Sequence, residues 1–265
     1  MRIKEYYAPT TLDEAYNLFQ EELTTIISGG TWLKLLPKAI EKAIDLSKLG
    51  LDQVVEKPDT IEIGSMVTLE QLRQHPTLLA LADGVIPKAI NHIMGVPIRN
   101  IATIGGSVAG KFGFSDIITP LLTMGTIIEF SHMPDMSLED YMAHKKIAND
   151  FITKIIIASV PGKAHFKSVK KTSNDFPILN ICVSKLEGKY KIAVGARPAG
   201  ALLAHKAMDF INEQTSITED IISETATIAM TELTFGTNSR GSNVYRTSIA
   251  EVLIKRGLKE VQDAK

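Results

Sequence analysis

Two glycine pairs are the places where this chain's backbone could itself do chemistry. In Thr103-Ile104-Gly105-Gly106-Ser107, a strand end is expected to open into two glycines. Backbone amides there can approach a bound group that any β-carbon would push away, which makes an anion cradle. Ser28-Gly29-Gly30-Thr31 repeats the arrangement after the β-branched run Thr24 to Ile27, and two similar turns point to one elongated ligand. Taken singly, each pair is more often a structural turn, and neither fits the GxGxxG or GxxxxGK[ST] pattern. Ser115-Asp116 precedes an apolar run (Ile117, Ile118, Leu121, Leu122) at helical spacing, so one of the two is expected to cap a helix. A carboxylate in that place could also accept hydrogen bonds from ribose hydroxyls. Trp32 is open between core packing and stacking on a ring, and Arg99 reads most simply as a surface or salt-bridged arginine.

Other chemistries are disfavoured. None of the six histidines forms an HxxxH pair, and Cys182 is the single cysteine, so no metal site, cluster or internal disulfide is expected. Cys182 lies in the apolar run Ile178 to Val183 and reads as a small residue on a buried strand. There is no GxSxG elbow, and no catalytic triad can be read from the chain. A net charge of -1 without a Lys/Arg run argues against nucleic acid and anionic membrane surfaces. The start Met1 to Tyr6 lacks a signal-peptide core and no apolar span is bilayer-length, so a cytoplasmic protein is expected.

The elements that must position these turns follow from periodicity. A capping box at Thr11-Leu12-Asp13-Glu14 opens a helix expected to run from Thr11 to about Glu22. The strand Thr24 to Ile27, the glycine turn and the strand Ala43 to Leu46 form a small βαβ-like unit. Val54-Val55 and Thr60 to Gly64 read as a hairpin. Short helices are expected from Thr68 to His75 and from Pro87 to Gly95, strands at Thr126 to Phe130 and Ile155 to Ile157, and a helix start at Ser137. After Pro161-Gly162 comes a three-stranded antiparallel meander through His165 to Lys170, Ile178 to Ser184 and Tyr190 to Val194. Helices follow at Ala201 to Phe210, Ile217 to Met230 and Ile249 to Lys255. With 265 residues and 45% hydrophobic content, the chain can bury a substantial core in two or three compact units.

The order of Ser28-Gly29-Gly30-Thr31, then Ile98-Arg99-Asn100-Ile101-Ala102-Thr103-Ile104-Gly105-Gly106-Ser107, then Ser115-Asp116 and Pro120-Leu121-Leu122, resembles the FAD-binding subunit of molybdenum hydroxylases. These are the flavoproteins of xanthine dehydrogenase and carbon monoxide dehydrogenase. The resemblance covers nearly the whole chain. Phe166 to Lys171, through Ile178 to Val183, is similar to the start of that family's C-terminal domain, and Arg240 to Arg246 to its closing segment. The short, separately encoded flavin subunits associated with purine hydroxylation are the nearest likeness. Trp32, Ser107 and the segment Gly110 to Phe114 depart from the family's pattern.

The resemblance implies an α+β fold: a two-part FAD-binding domain of the vanillyl-alcohol-oxidase-like type (1–56 and 57–160), then a C-terminal domain (161–265) with a three-stranded antiparallel sheet and a helix bundle. It implies that Ile27, Ser28, Gly29, Gly30, Thr31, Trp32, Leu33 and Lys34 wrap the FAD pyrophosphate. Thr103, Ile104, Gly105, Gly106 and Ser107 would make a second phosphate and ribityl contact, with Asp116 at the adenosine ribose. Ile93 and Ile152 would line the flavin pocket, and Lys167 would lie near the isoalloxazine ring. No side chain is expected to be catalytic and none to bind a metal. With neither His nor Cys in the first loop, non-covalent FAD is expected. The expected function is a purine or xanthine dehydrogenase-like electron-transfer subunit. Electrons would come from a molybdopterin-binding partner through a 2Fe-2S partner and leave to NAD+ or another acceptor. A flavin-free scaffold subunit and a stand-alone flavin oxidase are the alternatives, in that order.

Overall fold

The computed structural model describes residues 2–35, 37, 39–144 and 150–262; Met1 lies outside them. Two compact units emerge, the first made of 1–72, 95–110 and 126–158, the second of 73–94, 111–125 and 159–265.

The first unit begins with β1 (Ile3–Tyr7), which joins β2 (Thr24–Ile27) and β3 (Ile40–Asp45) in a parallel sheet of order β1-β3-β2. Between β1 and β2 runs the helix Leu12–Phe19. Thr11 caps it by accepting the Glu14 amide at 3.2 Å, and the Glu14 carboxylate reaches back to the Thr10 amide at 2.9 Å, one residue earlier than a capping box would have it. The helix stops short of the expected Glu22. The Thr24 hydroxyl donates to the Phe19 and Glu21 carbonyls, and Leu23 turns into the left-handed region at φ +60°. Ala15, Ile44, Leu46, Leu51 and Phe151 form the core beneath it.

An antiparallel sheet completes this unit in the order β4-β5-β8-β6-β7, from β4 (Val54–Glu56), β5 (Thr60–Gly64), β6 (Ile127–Phe130), β7 (Met136–Ser137) and β8 (Ile152–Ala158). Ile61 sits opposite Ile157 and Ile63 opposite Ile155, all buried, so the two-residue period sets the register. The helix Leu69–Gln74 carries a complete capping box: the Gln71 amide donates to the Thr68 hydroxyl and the Thr68 amide to the Gln71 side chain.

The second unit is built on β9 (Gly162–Val169), β10 (Leu179–Leu186), β11 (Lys189–Gly195) and β12 (Leu202–Leu203). The expected three-stranded meander is present, extended to four strands by β12, which pairs Leu202 and Leu203 with Val194 and Ala193. Leu179, Ile181 and Val183 of β10 face the helices His205–Asn212, Glu219–Glu232 and Asn243–Gln262. The alternate residues meet the helix Ile118–Thr123: Thr119 donates to Asn180 at 2.7 Å, the Thr123 hydroxyl lies 3.2 Å from the Cys182 thiol, and Ser184 donates to the Thr123 carbonyl. Cover on both faces explains the near-continuous apolar run of β10. It also buries Cys182, whose thiol is pushed up to about 12 by desolvation.

Candidate functional site

Both glycine turns lie in the first unit, and they touch. The carboxyl end of β2, paired beside β3 with Ile27 opposite Asp45, delivers the chain into Ser28. Gly29 and Gly30 then take left-handed φ values of +70° and +67°. A short 3₁₀ turn, Leu33–Leu35, closes the loop, with the Lys34 amide on the Gly30 carbonyl and the Leu35 amide on that of Trp32. Among the described residues, the amides of Gly29, Gly30, Thr31 and Leu33 find no acceptor. Buried or half-buried amides are almost always paired, so a run of open donors is an arrangement awaiting an acceptor.

The second turn differs from its expected form. Thr103 does not end a strand; its side chain caps the six-residue helix Ile104–Ala109 by accepting the Gly106 amide at 3.1 Å. The other early amides are committed as well: Ile104 to the Val67 carbonyl, Gly105 to that of Ser65, and Ser107 to that of Thr103. The Ser107 hydroxyl donates to the Thr103 carbonyl at 2.7 Å. None of these four backbone donors is open to a phosphate.

The glycines serve close approach of one backbone segment to another. A β-carbon on Gly29 would overlap the Ile101 carbonyl oxygen. One on Gly106 would lie 2.9 Å from the Ser28 carbonyl oxygen and 3.0 Å from Thr103 Oγ1. The loops are further tied by the Ser28 and Thr103 hydroxyls, 2.6 Å apart, and by Ser28 Oγ on Met66 Sδ at 3.1 Å.

Asp116, in the second unit, is neither a helix cap nor an open acceptor. The Ser115 hydroxyl takes the Ile118 amide instead. Oδ1 of Asp116 accepts from Ser168 and Asn180, each at 2.9 Å, and Oδ2 pairs with Lys170 Nζ at 2.9 Å. The Lys170 ammonium also donates to the His92 carbonyl at 2.5 Å. Asp116 is 5% exposed and Asn180 fully buried, so this is an internal ion pair completed by neutral donors. Burial, more than any charge, lowers the His92 imidazole below its ordinary value; nearby Asp116 opposes this and Lys170 and Lys167 add to it. The ring meets Phe166 edge-on.

The remaining expected site residues divide between the units. Ile152 is buried in β8, against which the helix Ile104–Ala109 packs. Trp32 is 40% exposed and Lys34 is exposed. Arg99 is buried, donating to Glu70 at 2.6 Å. Ile93 follows the helix Val85–Asn91 in the second unit and is half-buried. Lys167 is exposed on β9 and leaves the strand on the face opposite Phe166 and Ser168, so it does not join the Asp116 cluster. Lys170 occupies that place. Sequence reasoning missed Lys170, Ser168 and Asn180, although the two-residue period of β9 puts Phe166 and Ser168 on one face with Lys170 next in step. It also missed Met66, for which the sequence carries no signal.

Residues 1–159 match the family described as FAD binding domain in molybdopterin dehydrogenase, and residues 164–261 match the CO dehydrogenase flavoprotein C-terminal domain. The nicotinate dehydrogenase FAD-subunit of Eubacterium barkeri is 27% identical over 175 residues, 59% of each chain. The glyceraldehyde dehydrogenase medium chain of Sulfolobus acidocaldarius is 22% identical over 278 aligned positions, 97% of each chain. A chain of carbon monoxide dehydrogenase from Hydrogenophaga pseudoflava, in a form lacking the Mo-pyranopterin moiety, shares the fold with a TM-score of 0.89. It is 21% identical and the match covers 99% of this chain and 98% of that one. A mixed helix and strand chain with these two domains defines a flavoprotein subunit of the oxidoreductase class. This chain belongs to the family of FAD-binding subunits of molybdenum hydroxylases.

Among the described residues no three His, Cys, Asp or Glu side chains gather as a metal site, and no helix is long and apolar enough to cross a membrane.

Proposed function

We propose that this chain holds FAD non-covalently and serves as the electron-transfer subunit of a multi-subunit hydroxylase, working with a molybdopterin-binding chain and a 2Fe-2S chain. The observation that carries the proposal is the run of open amides at Gly29, Gly30, Thr31 and Leu33. Four backbone donors close together in one loop, none of them consumed internally, with no carboxylate among residues 28–34, suit a diphosphate. Ile27 to Lys34 would therefore hold the pyrophosphate. Thr103, Ile104, Gly105, Gly106 and Ser107 would buttress that loop and contribute carbonyl and side-chain surface in place of amide donors. Ile152 and Ile93 would supply apolar walls in their respective units. Asp116 would act by fixing Lys170 and the His92 carbonyl, and Lys167 would offer an exposed positive charge.

When bound, FAD supplies the redox chemistry that links single-electron donors on a partner to a hydride acceptor such as NAD+. The protein's part is to bind, orient and shield; no side chain here is needed as a general base. The purine or xanthine class is the proposed substrate of the assembled enzyme, on the resemblance of this chain to short flavin subunits of that kind. Residues 1–56 and 57–160 are the proposed halves of the FAD-binding domain and 161–265 the C-terminal domain, in a cytoplasmic complex. Reconstitution with FAD tests the reading: retained flavin, released free by acid, supports it, and a folded chain that takes up none while co-purified with its partners opposes it.

A further inference from the structure

We infer that Thr103 is a positioning residue, the middle of a hydrogen-bond relay that pre-shapes the first glycine loop. The Gly106 amide can only donate, and it does so to Thr103 Oγ1 at 3.1 Å. A thioether sulfur can only accept, and Ser28 Oγ donates its proton to Met66 Sδ at 3.1 Å. The 2.6 Å contact between Ser28 Oγ and Thr103 Oγ1 accommodates either donor, since the Thr103 hydroxyl also has the Ser28 carbonyl oxygen as an acceptor at 3.4 Å; in both senses it ties Thr103 to Ser28. These contacts link the Gly106 N–H, the Thr103 and Ser28 hydroxyls and the Met66 sulfur in one connected chain. Thr103 is 3% exposed, so its hydroxyl is enclosed with these partners.

Both ends of the relay are anchored outside the loop. Gly106 sits in the first turn of the helix Ile104–Ala109, and Met66 is held by its amide on the Leu51 carbonyl. Only Ser28 belongs to the loop with open amides. The relay thus fixes where that loop leaves β2, beside the Gly29 backbone that lies against Ile101. On this account the Thr103 hydroxyl acts on FAD affinity through Ser28 rather than through a bond of its own to FAD, because the bound conformation is populated before the ligand arrives. The inference rests on the proposed FAD function for its affinity arm alone.

The test uses the full chain with Thr103→Val, Thr103→Ser, Ser28→Ala and the Ser28→Ala/Thr103→Val pair. Two quantities are read: the FAD dissociation constant, and acrylamide quenching of Trp32, the single tryptophan, in flavin-free protein. Thr103→Val and Ser28→Ala should each weaken FAD roughly tenfold. The pair should be no worse than the poorer single variant, because both cut one chain. Thr103→Ser should restore affinity, and Trp32 should be more quenchable in flavin-free Thr103→Val and Ser28→Ala than in wild type or Thr103→Ser. Additive losses with unchanged Trp32 quenching would overturn the inference and make the two hydroxyls direct ligand contacts. If Thr103→Val fails to fold, Ser28→Ala and Thr103→Ser decide the matter by the same readings. Wild-type chain that binds no FAD sinks the functional reading, while the quenching comparison still decides the relay.

Discussion

Gly29 and Gly30 are neighbours with nearly the same backbone conformation, yet the structure gives them different reasons to be glycine. Both have φ near +70°, where an alanine costs about 1–2 kcal/mol. At Gly30 that is nearly the whole cost, since a β-carbon would meet only Ile27 Cγ2 at 3.6 Å, an ordinary contact. At Gly29 the β-carbon would overlap the Ile101 carbonyl oxygen, and a backbone atom has no rotamer to escape into. Overpacking of that kind costs a further ~1–3 kcal/mol. Gly29→Ala should therefore lose roughly 2–5 kcal/mol and Gly30→Ala about 1–2 kcal/mol. Equilibrium urea unfolding of the full-length variants, followed by far-UV circular dichroism and Trp32 fluorescence, reads the difference. Flavin retention should fall in the same order, since displacing the 101–103 segment also moves the loop it supports. Equal losses for the two alanines would refute the claim that contact between the turns fixes Gly29.

Three further outcomes are expected. Asp116→Asn strands the Lys170 ammonium, whose side chain is 9% exposed, and should cost about 3–5 kcal/mol in urea unfolding, with Asp116→Asn/Lys170→Met recovering part of the loss. Desolvation lowers the His92 and His165 imidazoles, with Glu260 opposing and Lys167 and Lys88 adding to the effect at His165. The unfolded chain then binds protons first on acidification, so their contribution to stability is present above the ordinary value of 6.5 and lost as pH falls below it. Urea midpoints compared at neutral and mildly acidic pH should show this fall, and it should shrink in His92→Gln. Cys182, with its thiol near 12, should resist aromatic disulfide reagents in the native protein and react once denaturant is added. Fast labelling of folded protein would contradict its burial.

The parts of the fold legible in the sequence are those with strong local patterning. The alternation of Ile61 with Ile63 and of Ile155 with Ile157, the Thr68 capping box and the continuous apolar run around Cys182 each state their environment within a few residues. The parts that were not legible depend on distant partners. β1, Ile3-Lys4-Glu5-Tyr6-Tyr7, has a largely exposed face pattern, and it is a strand because β3 pairs with it from nearly forty residues away. β12 is two residues long and exists only as an addition to β11. Thr103-Ile104 before the glycines reads as a strand end because β-branched residues suit strands, whereas the Thr103 cap and the Ser65 and Val67 carbonyls make it a helix start. Asp116 stands near the second turn in sequence, but its partners Ser168, Lys170 and Asn180 lie more than fifty residues downstream. The two glycine pairs were visible as a pair; that one keeps open amides and the other consumes its own is a tertiary fact.

The visible absorption spectrum of the purified chain, taken after incubation with FAD and desalting, tests the central claim most directly. The account predicts a retained flavin band in wild type, released as free FAD by acid and much reduced in Gly29→Ala. Folded chain that stays colourless, alone and when co-expressed with its partner subunits, would contradict it.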